Sequence, residues 1–149
     1  MAVTSEEVRA ALDREDYEDA AKLGPEALPH LRRFVESGDP VRAPKAAYLA
    51  GRIGDPEAAP ILELAAASSD PSVRAAAAGG AAHLPAEESD RLVRGLLDDD
   101  DPSVRKLALR AVPKKASADL AAKVKVLQEH EPEDLVRDVA KEVHGRLKK

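Results

Sequence analysis

Apolar residues recur along this chain at helical spacing, in short bursts separated by polar, proline-bearing or glycine-bearing breaks. Val73, Ala77, Ala78, Ala81 and Leu84 share one face, as do Val104, Ala108, Ala111 and Val112. Val136, Val139, Ala140, Val143 and Leu147 repeat the pattern. Steps of three and four residues are those of an α-helix that buries one side. The breaks at Ser37-Gly38, Gly54, Ser68-Ser69, Pro85, residues 98–100 and Pro113 are short and turn-like. The pattern predicts ten helices in five pairs. The first pair lies within 4–24: Thr4 or Ser5 caps a helix with Val8, Ala11 and Leu12 on its apolar side, and residues 13–16 break it. A second short helix from Tyr17 to Leu23 ends at Gly24, which tolerates the left-handed conformation. The later helices are expected at 25–37 and 40–53, from Pro56 and at 71–83, at 86–97 and 102–112, and at 116–127 and 132–147.

One element punctuates this pattern. Asp70-Pro71-Ser72-Val73-Arg74 returns 31 residues later as Asp101-Pro102-Ser103-Val104-Arg105. A shortened copy, Asp39-Pro40-Val41-Arg42, precedes it, and a degraded one begins at Glu131-Pro132 and ends at Arg137. A period of this size means stacked repeats. The motif is a helix start: Asp caps, Pro takes the first position with φ already set, and Arg begins the helix body. The preceding helices carry their own repeat, Pro25 to Pro29 echoed by Pro56 to Pro60. The second proline of each is expected to remove a hydrogen bond and bend its helix. Two copies are irregular. Pro44 moves the predicted start of one helix towards itself and loosens the assignment of Arg42, and in the last copy Glu131 stands where Asp is expected, with an extra residue behind it.

A Pro-bearing helix followed by Asp-Pro-x-Val-Arg-x-x-Ala-Ala resembles the HEAT repeat, in the short bacterial form found in phycobilin lyase subunits. Residues 46–60, AAYLAGRIGDPEAAP, match that pattern closely, and the likeness extends over about 25–147. The resemblance implies an all-α, right-handed α-α superhelix of about five antiparallel helix pairs. Length and period together give one domain over 1–149, with capping helices in 1–24 and repeats at 25–54, 55–85, 86–113 and 114–149. The resemblance further implies a structural ladder in which Asp39, Asp70 and Asp101 pair with Arg42, Arg74, Arg105 and Arg137, the Arg-bearing helices lining the concave face. A guanidinium bonded to a capping carboxylate would satisfy a helix end and a half-buried charge together.

Composition narrows the chemistry. The 149 residues include no Cys and no Trp, one Phe and two Tyr, which excludes disulfides and thiolate zinc sites. A core of Ala, Leu and Val suits close helix-on-helix packing. No uncharged run approaches the ~20 residues of a membrane span, and acidic residues stand where a leader peptide would be basic. A monomeric, cytoplasmic bacterial protein is expected. Residues 1–100 carry 11 basic and 20 acidic side chains, residues 101–149 carry 12 and 8, so the C-terminal part suits acidic partners.

A search for catalysis finds no nucleophile elbow and no phosphate-binding glycine loop. His30, His83, His130 and His144 stand apart, and the one His-Glu pair, His130-Glu131, has nothing to complete a metal site. An acidic chain with three aromatic residues is a poor match for nucleic acid, despite the local cluster of Lys106, Arg110, Lys114 and Lys115. The expectation is a cofactor-free, non-enzymatic adaptor, scaffold or regulatory subunit that binds another protein or a peptide along its concave face. Candidate contact residues are Tyr48, Gly79, His83, Lys106, Arg110 and Lys114, with Ala47, Asp138 and Glu142 on the same surface. Gly79-Gly80, in mid-helix, reads either as close packing or as a flat floor. The alternatives are a subunit of a bilin lyase-like modifying enzyme and, third, a nucleic-acid-binding protein.

Overall fold

A computed structural model describes residues 2–147. Ten α-helices follow one another within them: α1 (Ser5–Arg14), α2 (Tyr17–Ala20), α3 (Leu28–Glu36), α4 (Arg42–Ile53), α5 (Ala59–Ala66), α6 (Pro71–Ala81), α7 (Ala86–Leu96), α8 (Pro102–Arg110), α9 (Ala118–His130) and α10 (Asp134–Leu147). No strand occurs among the described residues. Consecutive helices pair, and the pairs stack. The second helices, α4, α6, α8 and α10, form one layer, while α3, α5, α7 and α9 form the other.

The starts follow local chemistry. Asp70 Oδ1 accepts from the Ser72 N–H at 2.8 Å and Asp101 Oδ1 from Ser103 at 2.7 Å, so the repeated motif caps α6 and α8. Thr4 and Glu7 form a reciprocal capping box at the head of α1. Each such cap is worth about 1 kcal/mol. Asp39 also caps, accepting from the N–H groups of Val41 at 2.9 Å and Arg42 at 3.0 Å. That sets the start of α4 at Arg42, ahead of the expected Pro44, because a proline inside the first turn gives up only an N–H that has no helical acceptor.

The paired prolines do not bend their helices. Pro25–Ala27 and Pro56–Ala58 are 3₁₀ turns, and Pro29 and Pro60 sit second in the α-helices that follow, again inside a first turn. The last pair also differs from its prediction. Ser117 caps α9, which runs on to His130. The extra residue of the fourth unit is thereby absorbed in a longer helix upstream of the motif.

Leu12, Leu31, Leu49, Leu62, Leu97, Leu109 and Leu120 are fully buried and run down the stack between the two layers. Alanines fill the space between neighbouring helices, above all between α4 and α6, where Ala43, Ala46, Ala47, Ala50, Ala77, Ala78 and Ala81 are enclosed. There the backbones meet. A Cβ on Gly51 would lie 2.4 Å from the Gly80 carbonyl oxygen, so only glycine allows this crossing.

Candidate functional site

Arg74 and Arg105 tie successive repeats together, but their acids are not the capping aspartates. Arg74 donates through Nε to Asp99 at 2.8 Å, and Arg105 through Nε to Glu131 at 2.6 Å, each also using Nη2 on the second carboxylate oxygen. The same arginines donate Nη1 to the carbonyls of Ser68 and Asp99, both at 2.9 Å. Asp70 and Asp101 each turn Oδ1 to the N–H of their own helix start, and neither forms an ion pair along the stack among the described residues.

The ladder position is therefore two residues before each cap, occupied in turn by Ser37, Ser68, Asp99 and Glu131. All four accept the N–H two residues on, from Asp39, Asp70, Asp101 and Glu133, at 2.9–3.2 Å. Glu131 is thus the ladder acid of the last unit, not a substitute cap, and Glu133 holds the cap place. Its carbonyl accepts from the Arg137 N–H at 2.9 Å, as Asp101 accepts from Arg105 at 3.1 Å. With serine at position 68, Arg42 finds no acid ahead and turns back to Asp13 at 3.0 Å and to Asp39 at 3.4 Å. Arg137 likewise bonds the Glu131 carbonyl at 2.9 Å and its own helix's Asp134 at 2.5 Å.

Burial makes the inner rungs consequential. The Glu131 side chain is 1% exposed and that of Arg105 13%. Desolvation pushes the Glu131 carboxyl up, but the Arg105 bond, the Glu133 N–H and the charges of Arg105 and Arg137 together hold it below the usual range. Asp99 is balanced the same way: desolvation raises it, and the Arg74 bond, the Asp101 N–H and the two arginine charges bring it below normal. These groups are consumed by structure.

The open surface lies on the second-helix layer. Tyr17, Pro44, Lys45, Tyr48, Ala76 and Leu107, with Gly79 between them, line a trough of about 360 Å³ across α4, α6 and α8. Tyr17 and Tyr48 meet edge to face with ring centres 5.0 Å apart, and Tyr48 and His83 do so at 6.1 Å. Burial and the Glu15 charge push the Tyr17 phenol up; burial and then Arg52 push His83 down. Lys45 reaches Glu15 at 2.8 Å across the trough's end. The adjacent glycines part company here. Gly80 faces the core, where a Cβ would meet Leu62 at 3.1 Å and the Ala47 carbonyl at 3.3 Å, whereas at Gly79 it would only touch the Tyr48 ring at 3.4 Å. Gly80 is packing and Gly79 is floor.

Of the other expected contact residues, Arg110 occupies on α8 the place of Gly79, one 31-residue step on, and is exposed. Lys106 is partly buried one turn before it, lining a small hollow with Glu133 and Leu135. Lys114 lies exposed just beyond α8, and Asp138 and Glu142 are exposed on α10. Ala47 is fully buried and contributes nothing to the surface, because its neighbour Tyr48 holds the outward position. Tyr17, Lys45 and Leu107 are additions; Tyr17 stands 31 residues before Tyr48, so the period itself points to it. A hollow of about 370 Å³ also lies between α5 and α7, but the Arg91–Glu63 pair at 3.1 Å spans it. No grouping of three or more His, Asp or Glu suited to a metal, and no helix long and apolar enough to cross a membrane, occurs among the described residues.

No curated protein matches the chain. Among solved structures it is similar to a chain of the complex of CpcE and CpcF of phycocyanin lyase from Nostoc sp. PCC7120, with a TM-score of 0.74 at 19% identity. The match covers 94% of this chain and 99% of that one. The expectation of a non-enzymatic protein is corrected at this point: the solved fold that this chain follows over nearly all its length comes from a lyase complex. The family model for HEAT repeats matches residues 60–143, more than half of the chain. With the helix pairs, the periodic caps and the arginine ladder in agreement, the chain belongs to the HEAT-repeat family.

Proposed function

We propose that this chain is a subunit of a lyase-like enzyme that modifies a protein, and that it works with a second chain by holding a protein along the inner trough. The observation that carries this reading is the reciprocal likeness to a phycocyanin lyase chain, 94% of one and 99% of the other, so the shared architecture is a whole stack. The trough adds a surface for a partner: it is apolar, open and crosses three helices. Extended inner surfaces of this kind are what stacked repeats offer. The arginines and acids of the ladder are spent on stacking, which leaves the trough and its rim as the recognition surface.

In this reading residues 1–24 cap a single domain whose four repeats run over 25–54, 55–85, 86–113 and 114–149, and the protein acts in the cytoplasm. Tyr48, Gly79 and Arg110 contact the partner, and His83, Lys106 and Lys114 flank it.

The test is co-expression of the chain with a second HEAT-type chain, a phycobiliprotein subunit as acceptor, and a linear tetrapyrrole. Visible absorbance that stays with the acceptor through denaturing electrophoresis, and is lost when this chain is omitted, is the expected result. Absorbance independent of this chain, in both attachment and removal assays, rejects the reading.

A further inference from the structure

The 31-residue step brings nitrogen-bearing side chains in turn to the C-terminal ends of the second helices. Arg52, His83 and Lys114 follow each other at that step, and Arg146 comes 32 residues later, the interval that the longer fourth unit adds. Arg52 lies in the last turn of α4, His83 and Lys114 just past α6 and α8, and Arg146 in the last turn of α10. Among the described residues none of Arg52, Lys114 and Arg146 has a carboxylate partner, and neither has Arg110 on the adjoining inner surface. Cations near helix C-termini are favoured by the helix dipole, which explains a preference at each end. With no carboxylate of the described residues bonded to them, these cations are available to the carboxylates of a ligand.

Beside this basic row runs the apolar trough, with Ala75, Ala76, Gly79 and Leu107 as its floor and Tyr48 as its wall. Successive helices pack about 8–10 Å apart, so the line from Tyr17 through Tyr48 and Gly79 to Arg110 extends for roughly 25–30 Å. A helix of about 20 residues has that length. The trough takes an apolar face, and the row takes negative charge on one flank of it.

We infer that the inner trough docks an acidic amphipathic helix of a partner protein, with its apolar face against Tyr48, Gly79 and Leu107 and its carboxylates towards Arg52, Arg110 and Lys114. The inference names the partner chemistry for the inner surface and rests on the reading that a protein is held there. A phosphate backbone suits the site less, because it has no apolar face to set against the apolar floor; the exposed Asp138 and Glu142 of α10 end the surface open to an acidic helix at Arg110.

The test is fluorescence anisotropy of the full chain with three labelled probes. These are a 20-residue Leu/Ala/Glu amphipathic peptide, the same peptide with Gln for Glu, and a single-stranded 20-nucleotide oligothymidine. The acidic peptide is expected to bind at least tenfold more tightly than the neutral one. Arg52→Glu combined with Arg110→Glu should abolish that difference, and Gly79→Leu, which fills the floor without touching charge, should weaken both peptides. Unchanged circular dichroism confirms each fold, and Gly95→Ala, on α7 away from the trough where an added Cβ meets nothing, serves as the conservative control. Equal binding of both peptides, indifference to charge reversal, or preferential binding of the oligonucleotide overturns the inference. The chromophore assay separates the two readings. Transfer that persists in the charge-reversed variant rejects the docking surface and leaves the lyase reading standing, and charge-dependent peptide binding without any transfer does the reverse.

Discussion

The two halves of this stack keep their register by different means. Between α4 and α6 the contact is backbone on backbone, with Gly51 against Gly80 and alanines on either side. From α6 onwards it is ionic: Arg74 reaches Asp99, and Arg105 reaches Glu131. The difference traces to one position. Where the later units carry Asp99 and Glu131, the earlier one has Ser68, so Arg42 turns away and the seam depends on fit alone. Close packing tolerates no added atom, whereas a buried ion pair tolerates no loss of either partner. A repeat stack can use either device at any given seam, and the apolar trough spans both kinds, running from α4 over the glycine seam to Leu107 of α8.

The comparison is broken most severely in the ionic half. Glu131→Ala leaves Arg105 half-buried without its carboxylate and should cost about 3 kcal/mol, the low end for breaking a buried pair. That corresponds to a fall in Tm of roughly 6–12 °C for a chain of this size, read by calorimetry. Replacing both partners by Met and Leu should recover most of the loss, and if it does not, the pair contributes more than mutual compensation. In the packed half, Gly51→Ala should cost about 1–3 kcal/mol by overpacking, since its new methyl meets backbone that cannot step aside. Gly79→Ala should stay within about 0.5 kcal/mol, and equal effects of the two changes would erase the distinction between packing and floor.

Acid should sharpen the contrast. Asp99 and Glu131 titrate below their ordinary values of 3.8 and 4.5 when folded. Their contribution is therefore complete above those values and is lost as the pH falls through them towards the depressed folded pKa values. Urea midpoints measured below about pH 5 should fall steeply for the wild type and less steeply for Glu131→Gln. A small effect of opposite sign is expected from Ser68→Asp, which offers Arg42 the acid that the later units have. Its Tm gain should be about 1–3 °C and should vanish in high salt, because the pair lies near the surface. A gain that survives high salt would mean the new rung is buried like its neighbours.

Much of this was legible before the structure. The repeated Asp-Pro-Ser-Val-Arg marks helix starts because capping and proline geometry are local, and the period gives the stack because each pair must bury its apolar side on the next. The reading of the prolines failed for a local reason too, since a 3₁₀ turn ahead of each helix turned an expected interior position into a first-turn one. The pairing of the ladder could not be read. Asp99 sits 25 residues from Arg74 and Glu131 26 from Arg105, and the conspicuous Asp70 and Asp101 lay closer to hand.

By itself the sequence determined helices, caps, pairs and the order of stacking, since these depend on intrinsic propensities and on a period that any stretch of the chain displays. Only the tertiary structure decided which carboxylate answers each arginine, and which of two adjacent glycines is buried. Those choices turn on distances between helices, and on a helix one residue's step is a rotation of about 100°. That rotation carries Gly80 into the core against Gly51 and leaves Gly79 facing the trough.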